Sequence, residues 1–181
     1  MSAFITTYTG KHVAIPGTNP ASLCIEDIAH SLAMICRGNG QVSAFYSVGQ
    51  HCLQCAKEAA ARGLSAKLVL AALLHDATEC YLSDVPHPLK LIMPAYREEE
   101  DNLLALIFTK FLGSALTEAE AAVIDEIDHA FLWYDLTFLL HDQPETPQPV
   151  VLVPPDYTER TFKAVEQEYL NWYRRYEKMI K

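Results

Sequence analysis

An imidazole and two carboxylates follow directly after one of the most apolar runs of the sequence. The run from Leu68 to Leu74 ends in His75 and Asp76, and Glu79 comes four residues after the histidine. Residues four apart lie on one face of an α-helix, so the spacing brings Glu79 near His75. Burying such groups beside leucine and alanine costs free energy unless a partner compensates, and a bound cation is one suitable partner. The pattern therefore predicts a metal site on a buried helix.

His51 is the first candidate for a further ligand, because a divalent ion in a protein takes about four to six donors. It lies in the first turn after Ser47, which begins a predicted helix that ends near Gly63. A short connection such as the one at Gly63 makes two helices antiparallel neighbours, so His51 can meet His75. The alternative is a lone histidine that is hydrogen-bonded in the core.

A long helix later in the chain offers three aspartates as the remaining ligand, Asp125, Asp128 and Asp135. Asp128 and Asp135 are seven residues apart and share a face. The residues around Asp128 are mostly apolar: Ile124, Ile127, Phe131 and Leu132. This setting favours Asp128 as the buried ligand, whereas Asp125 is expected at a solvated edge. The predicted ligand set consists of His51, His75, Asp76 and Asp128.

Two imidazoles and two carboxylates form a mixed nitrogen and oxygen site whose charge a divalent ion balances. Such a donor set favours Mn, Fe, Co, Ni or Zn over Ca or Mg, which prefer oxygen ligands alone. The expected cofactor is therefore one divalent transition metal. An ion of this kind lowers the pKa of a bound water, so that hydroxide can form at neutral pH.

The order of the predicted ligands resembles the H…HD…D signature of HD-domain metal-dependent phosphohydrolases. Further motifs are similar to the branch of this superfamily that contains the bacterial 5′-deoxynucleotidases. These motifs are Asp27-Ile-Ala-His30, Cys36-Arg37, Phe45-Tyr-Ser-Val48, Leu73-Leu-His-Asp-Ala-Thr-Glu79, Ser83-Asp84-Val-Pro86 and Pro88-Leu-Lys90. The resemblance extends from about Thr9 to Asp135, roughly two thirds of the chain. It implies an all-α fold, the helical bundle of the HD domain, with one divalent metal.

The resemblance also implies roles for residues outside the ligand set. Glu79 and Asp84 match an acidic pair near the attacking water, and Arg37 matches an arginine that contacts the substrate phosphate. Lys90 is a weaker candidate for the phosphate. The alternatives are that Asp84 only caps the turn before Pro86, and that Arg37 only neutralises the C-terminal end of its helix.

The function that the resemblance implies is hydrolysis of a phosphomonoester. The expected substrate is a small phosphorylated molecule, a (deoxy)nucleoside 5′-monophosphate, which yields a nucleoside and phosphate. One alternative is a phosphodiesterase or a nucleoside triphosphate hydrolase, which needs more basic residues than this chain has. The second alternative is a non-catalytic nucleotide-binding HD protein with a structural metal, against which Glu79 and Asp84 argue because such a metal needs only its ligands.

The elements that must position these residues are predicted to be helices, because long stretches lack proline and glycine. Apolar residues recur at helical spacing, and capping residues stand before most of these stretches. The predicted helices cover 25–35, 48–63, 66–81, 97–112, 118–140 and a last helix from 156. The segment 143–155 contains five prolines and is predicted to be a loop, with one isolated strand-like run at 150–153.

Composition excludes several classes of function. The 181 residues carry a net charge of −9, so we expect no nucleic-acid partner. Half of the residues are hydrophobic, which argues against disorder, but no apolar run reaches the roughly 20 residues of a membrane span. No signal peptide is recognised, and five cysteines, an odd number, indicate a reducing compartment. We therefore expect one cytoplasmic domain over residues 1–181 and no membrane partner.

Three other features receive structural interpretations. A second His-Asp pair, His141-Asp142, precedes the proline-rich segment and is predicted to have no catalytic role. Cys52 and Cys55 lie on a predicted helix and are expected to pack in the core. The last helix is rich in aromatic residues, which favours a homodimer: Tyr169, Trp172, Tyr173 and Tyr176.

Overall fold

Helices dominate the computed structural model, which describes residues 4–180, and the all-α prediction is confirmed. The two strands form one antiparallel hairpin, β1 (Phe4–Thr6) and β2 (His12–Ala14). The helices are α1 (Ile25–Met34), α2 (Val48–Ala61), α3 (Ala66–Leu74), α4 (Glu79–Leu82), α5 (His87–Lys90), α6 (Pro94–Leu112), α7 (Glu118–Phe138) and α8 (Phe162–Ile180). Two short 3-10 turns lie at Pro20–Ser22 and Arg37–Gly40.

The α3 helix forms the centre of the core. Its residues 69–74 are all buried, and it packs against α2, α6, α7 and α8. Ser65 caps the start of the helix, and its side chain accepts a hydrogen bond from the backbone N–H of Leu68. The hydroxyl of the fully buried Tyr169 on α8 donates to the carbonyl of Leu73 at 2.6 Å. The central helix therefore delivers its C-terminal end, and the residues that follow it, to a fixed place in the interior.

The α2 and α7 helices begin where their capping motifs predict. Ser47 and Gln50 form a reciprocal capping box at the start of α2, and Thr117 and Glu120 form one at the start of α7. Gly49 allows α2 to cross α1 closely, because a Cβ atom there would stand about 3.2 Å from the α1 backbone. These contacts fix the two helices that carry His51 and Asp128.

The chain departs from helical geometry directly after α3, although the pattern predicts a helix through residue 81. The next backbone hydrogen bonds span three residues, from the N–H of Ala77 to Leu74 and from the N–H of Glu79 to Asp76. The prediction of one continuous helix is therefore wrong here, and His75 and Asp76 lie in a tighter, 3-10-like turn between α3 and α4.

Several element boundaries also differ from the prediction. The α7 helix ends at Phe138, and α8 begins at Phe162 because the preceding residues are bound to α2 instead. The terminal hairpin was not predicted, since its three-residue strands lie in a polar, threonine-rich stretch. No strand forms at 150–153. None of the helices within residues 4–180 has both the length and the hydropathy needed to cross a bilayer.

The aromatic residues of α8 point largely inward. Tyr169 and Tyr173 are buried, and Tyr173 packs edge-to-face against Phe111 of α6 with ring centroids 5.7 Å apart. Trp172 and Tyr176 stack on each other and are partly buried. The expected homodimer therefore stays a prediction without the exposed aromatic surface on which it was based.

A polar stripe on α2 holds the long connection between α7 and α8. We call this connection, residues 139–161, the strap. Gln50 donates to the carbonyl of Thr158 at 3.2 Å, and the buried Glu58 accepts from the backbone N–H groups of Leu152 and Val153 at 2.8–3.1 Å. Glu58 also accepts from the Arg62 guanidinium at 2.8 Å. A segment rich in proline is thus fixed by hydrogen bonds from one face of one helix.

Replacing Glu58 with Ala should lower the free energy of unfolding by about 3 kcal/mol, because it removes a fully buried charged acceptor with several partners. Urea denaturation measures the change, and limited proteolysis should cut the strap faster than in the parent. Glu126→Ala is the matched control: it also removes a carboxylate bound to Arg62, but one whose side chain is 69% exposed. Equal losses in the two variants would contradict the buried anchor.

Candidate metal centre

The four predicted ligands come together in one cluster from three separate elements. His51 is on α2, His75 and Asp76 are in the turn after α3, and Asp128 is on α7. Nε2 of His51 lies 2.9 Å from Oδ1 of Asp128 and 3.9 Å from Oδ2 of Asp76. Nε2 of His75 lies 3.3 Å from Asp76 and 3.5 Å from Asp128. Donors about 2.0–2.2 Å from one tetrahedral ion stand roughly 3.4 Å apart, so this spacing fits a shared cation.

His75 has the orientation of a ligand. Its Nδ1 atom lies 2.8 Å from the backbone carbonyl of Ala72, to which it donates its proton. A proton on Nδ1 leaves the lone pair on Nε2, and Nε2 is buried without a hydrogen-bond partner. An unpartnered buried nitrogen costs free energy, and a cation between the two imidazoles and the carboxylates would satisfy it.

Asp135 stands behind His51, on the side away from the cluster. Its Oδ2 atom lies 3.2 Å from Nδ1 of His51, although off the line of a good hydrogen bond, and its side chain is 6% exposed. Tyr157 of the strap donates to the other oxygen of Asp135 at 2.9 Å. A carboxylate that orients a ligating histidine is a recurrent feature of metal sites. Sequence reasoning placed Asp135 on the face of Asp128 but gave it no role.

Arg37 reaches the same cluster from the turn after α1. Its guanidinium donates to Oδ2 of Asp76 at 3.3 Å and to Oδ2 of Asp135 at 3.1 Å. Burial works against its charge, but the carboxylates of Asp135 and Asp76 outweigh burial and raise the pKa of Arg37. The side chain therefore lies beside the predicted ligands as a fixed positive charge, rather than at the C-terminal end of its helix.

The cluster needs positive charge. Burial disfavours the ionised form of Asp128, but the hydrogen bond from His51 and the charge of the neighbouring His75 outweigh burial and hold the pKa of this carboxyl well below its usual range. Burial also opposes protonation of both histidines, yet the carboxylates raise their pKa values. Either protons on the imidazoles or a bound cation can supply this charge, and the donor types suit a divalent ion.

Glu79 and Asp84 are acidic residues near the cluster that are not among the four predicted ligands. Glu79 is 5% exposed and its Oε2 atom has no hydrogen-bond partner. Burial, and then the charges of Asp76 and Asp84, raise the pKa of Glu79 to about 9. Burial also raises the pKa of Asp84, opposed by Arg37 and by the backbone N–H of Gly38. Both groups are thus acids near the cluster whose pKa values lie above their usual range.

Lys90, the weaker candidate for the phosphate, is paired with a carboxylate of α6. Its Nζ atom donates to Oε1 of Glu100 on α6 at 2.7 Å, so its charge is paired on the flank of the site. His141 and Asp142 are both exposed, and Asp142 accepts from the backbone N–H of Gln143 at 2.8 Å. This arrangement is typical of a solvated turn, and the absence of a catalytic role for the second His-Asp pair stays a prediction.

The chain has curated relatives over part of its length. No family model matches it. It is similar to the uncharacterized protein YfdR of Escherichia coli, 40% identical over 109 residues that make up 60% of this chain and 58% of that protein. An uncharacterized protein of Rhodobacter capsulatus is 39% identical over 109 residues, 57% of this chain and 55% of its own length. The chain thus spans somewhat more than half of these relatives, and neither name states an activity.

Two aspartates of α7, Asp128 and Asp125, allow the ligand assignment to be tested. We expect the purified parent to hold about one divalent transition metal per chain, measured by elemental analysis. Asp128→Ala should abolish this content because it removes a ligand oxygen, whereas Asp125→Ala should retain it because Asp125 is an exposed residue one turn away. Metal loss in both variants, or in neither, would show that the ligand assignment is wrong.

Replacing Asp135 with Asn should weaken metal binding without removing a ligand. The amide keeps the size of the side chain but loses the charge behind His51, and losses of such supporting groups cost about 10–100-fold in affinity. Calorimetric titration with zinc or manganese measures the change. Tyr157→Phe is the graded control, since it removes one hydrogen bond and leaves the carboxylate, so its loss should be smaller. Parental affinity in Asp135→Asn would exclude the supporting role.

Proposed function

We propose that this chain is a metal-dependent phosphohydrolase of the HD-domain type that hydrolyses a (deoxy)nucleoside 5′-monophosphate. The proposal rests on one observation. The guanidinium of Arg37 donates a hydrogen bond to Oδ2 of Asp76, one of the predicted metal ligands, at 3.3 Å. A cation site with a guanidinium directly beside it matches the charge and the geometry of a phosphate dianion. The nucleoside part of the substrate rests on the family resemblance alone.

The roles of the side chains follow from their positions. A divalent ion at the cluster would supply a water of lowered pKa and would neutralise charge on the phosphoryl group. Arg37 binds phosphate oxygens with its paired N–H groups, exchanging part of its contact with the aspartates for the substrate. Glu79, protonated in its buried setting, gives its proton to the leaving 5′ oxygen, while the attacking water releases one proton to the solvent, from which Glu79 is reprotonated. Asp84 accepts a hydrogen bond from the attacking water and orients it.

The charges around the cluster favour a monoester over a polyphosphate. Arg37 is hydrogen-bonded to Asp76 of the cluster, whereas Lys90 forms an ion pair with Glu100. The chain carries 23 acidic residues against 14 basic ones, so a triphosphate would meet little compensating charge. A phosphodiesterase or a triphosphate hydrolase therefore remains the second candidate.

Glu79 argues against a purely structural metal. A buried carboxyl without a hydrogen-bond partner lowers the stability of the fold, and a structural ion needs nothing beyond its own ligands. A group that costs stability beside a reactive site is typical of catalysis. The non-catalytic nucleotide-binding protein is thus the less favoured alternative.

A phosphate-release screen tests the proposal. The purified chain is supplied with Mn, Co, Ni, Zn or Fe and with nucleoside mono-, di- and triphosphates and a phosphodiester. We expect release from monophosphates with at least one of these metals, and none after chelation. Glu79→Gln should lower turnover by about 10²–10⁴-fold while metal and substrate still bind, because the amide keeps the shape and loses the proton.

Glu126→Gln serves as the control in the same assay, since this glutamate is exposed and should leave turnover at the parental level. Near-parental turnover of Glu79→Gln would end the catalytic role of Glu79. Absence of phosphate release from every monophosphate, with metal bound, would contradict the proposed function itself.

A further inference from the structure

A buried thiol adjoins the cluster, and the proposed mechanism gives it no role. Cys55 lies one turn after His51 on α2 and is 1% exposed. Its Sγ atom stands 3.6 Å from Nε2 of His51. Donor atoms of His51, Cys55, His75 and Asp128 all lie within 4.8 Å of one another. The sequence pattern predicted core packing for this cysteine, but its sulphur reaches the same space as the ligands.

We propose that Cys55 is a sulphur ligand of the metal centre, which makes the site a mixed nitrogen, oxygen and sulphur site. The inference rests on the metal centre of the proposed function and names the class of ion that this centre selects. Thiolate ligands favour thiophilic ions such as Zn²⁺ and Co²⁺ over Mn²⁺ and Mg²⁺. The resident ion is then one of the thiophilic metals.

The distances agree with coordination. An ion about 2.3 Å from sulphur and about 2.0–2.1 Å from an imidazole nitrogen separates these two atoms by roughly 3.6 Å at a bond angle of about 110°. This is the distance between Cys55 and His51. Nε2 of His75, whose side chain is 10% exposed, is a second and independent sign of a missing partner at the same place.

Exposure places the sulphur on the inner side of the cluster. The side chains of Asp76 and Asp128 are 19% and 31% exposed, whereas Cys55 is enclosed. Binding from the core side leaves the outer side for water and substrate. The thiol gives its proton to the solvent when the sulphur–metal bond forms, so the protein part of the site gains one negative charge. Arg37 lies next to the cluster and offsets that charge.

Cys52, which directly follows His51 and lies three residues before Cys55, is a neighbouring alternative. Its sulphur groups with His75 and Asp76 only, and not with His51 or Asp128. Cys55 therefore shares more of the predicted ligand set. Cys24 lies at the start of α1, where its thiol donates to Glu26 at 2.8 Å, and it supplies a matched control outside the centre.

Cobalt substitution tests the inference without any activity measurement. The full chain is stripped with a chelator and titrated with Co²⁺, and the absorption spectrum is recorded for the parent and for Cys55→Ser, Cys55→Ala, Cys52→Ser and Cys24→Ser. We expect one equivalent of Co²⁺ to give visible d–d bands and a near-ultraviolet sulphur-to-cobalt charge-transfer band. Both Cys55 variants should lose the charge-transfer band, and the other two should keep it.

Competition between metals gives the second readout. The ratio of Zn²⁺ to Mn²⁺ affinity should fall at least about 10-fold in Cys55→Ser and stay unchanged in Cys24→Ser, since even supporting groups of a metal site change affinity that much. Visible bands without a charge-transfer band in the parent would overturn the sulphur ligand while the metal centre stands. Loss of the band in Cys52→Ser alone would likewise overturn it. Failure of the parent to bind Co²⁺ would overturn the centre and the inference together.

Discussion

The buried carboxylate of Asp135 links three separate parts of the molecule. It is almost fully buried and contacts Arg37, His51 and Tyr157, which come from the α1 turn, from α2 and from the strap. A buried carboxylate is tolerated only with several partners, so each of these contacts also constrains the others. One oxygen atom, Oδ2, therefore lies against both the histidine and the guanidinium, while Oδ1 accepts from Tyr157.

The α2 helix shows how one short sequence serves two purposes. Gln50, Gln54 and Glu58 recur every four residues and bind the strap, while His51 and Cys55 form the adjacent stripe that faces the cluster. The polar side chains on this face of α2 each form hydrogen bonds with backbone groups of the strap, which contains five prolines and does not form a helix. The strap in turn brings Tyr157 to Asp135, so the surface connection contributes to the interior site.

Much of this arrangement could be predicted from local signals. The capping boxes at Ser47 and Thr117 mark two helix starts correctly, and the apolar surroundings of Asp128 distinguish it from Asp125. The role of Asp135 could not be predicted, because its partner Tyr157 lies in a segment without periodicity. The end of α3 at Leu74 was missed for a related reason. Residues 75–78 do not disfavour a helix, and it is contacts with distant elements that set their conformation.

That early end of α3 has a consequence for attempts to stabilise the protein. Replacing Thr78 with a stronger helix former such as alanine would favour a continuous helix from Ala66 to Leu82 and would change the turn that places His75 and Asp76 beside Asp128. A continuous helix and the turn that forms the cluster are thus alternative conformations of residues 75–78. Selection for melting temperature alone would tend to erase the site, while selection for metal retention would preserve an interrupted helix at its centre.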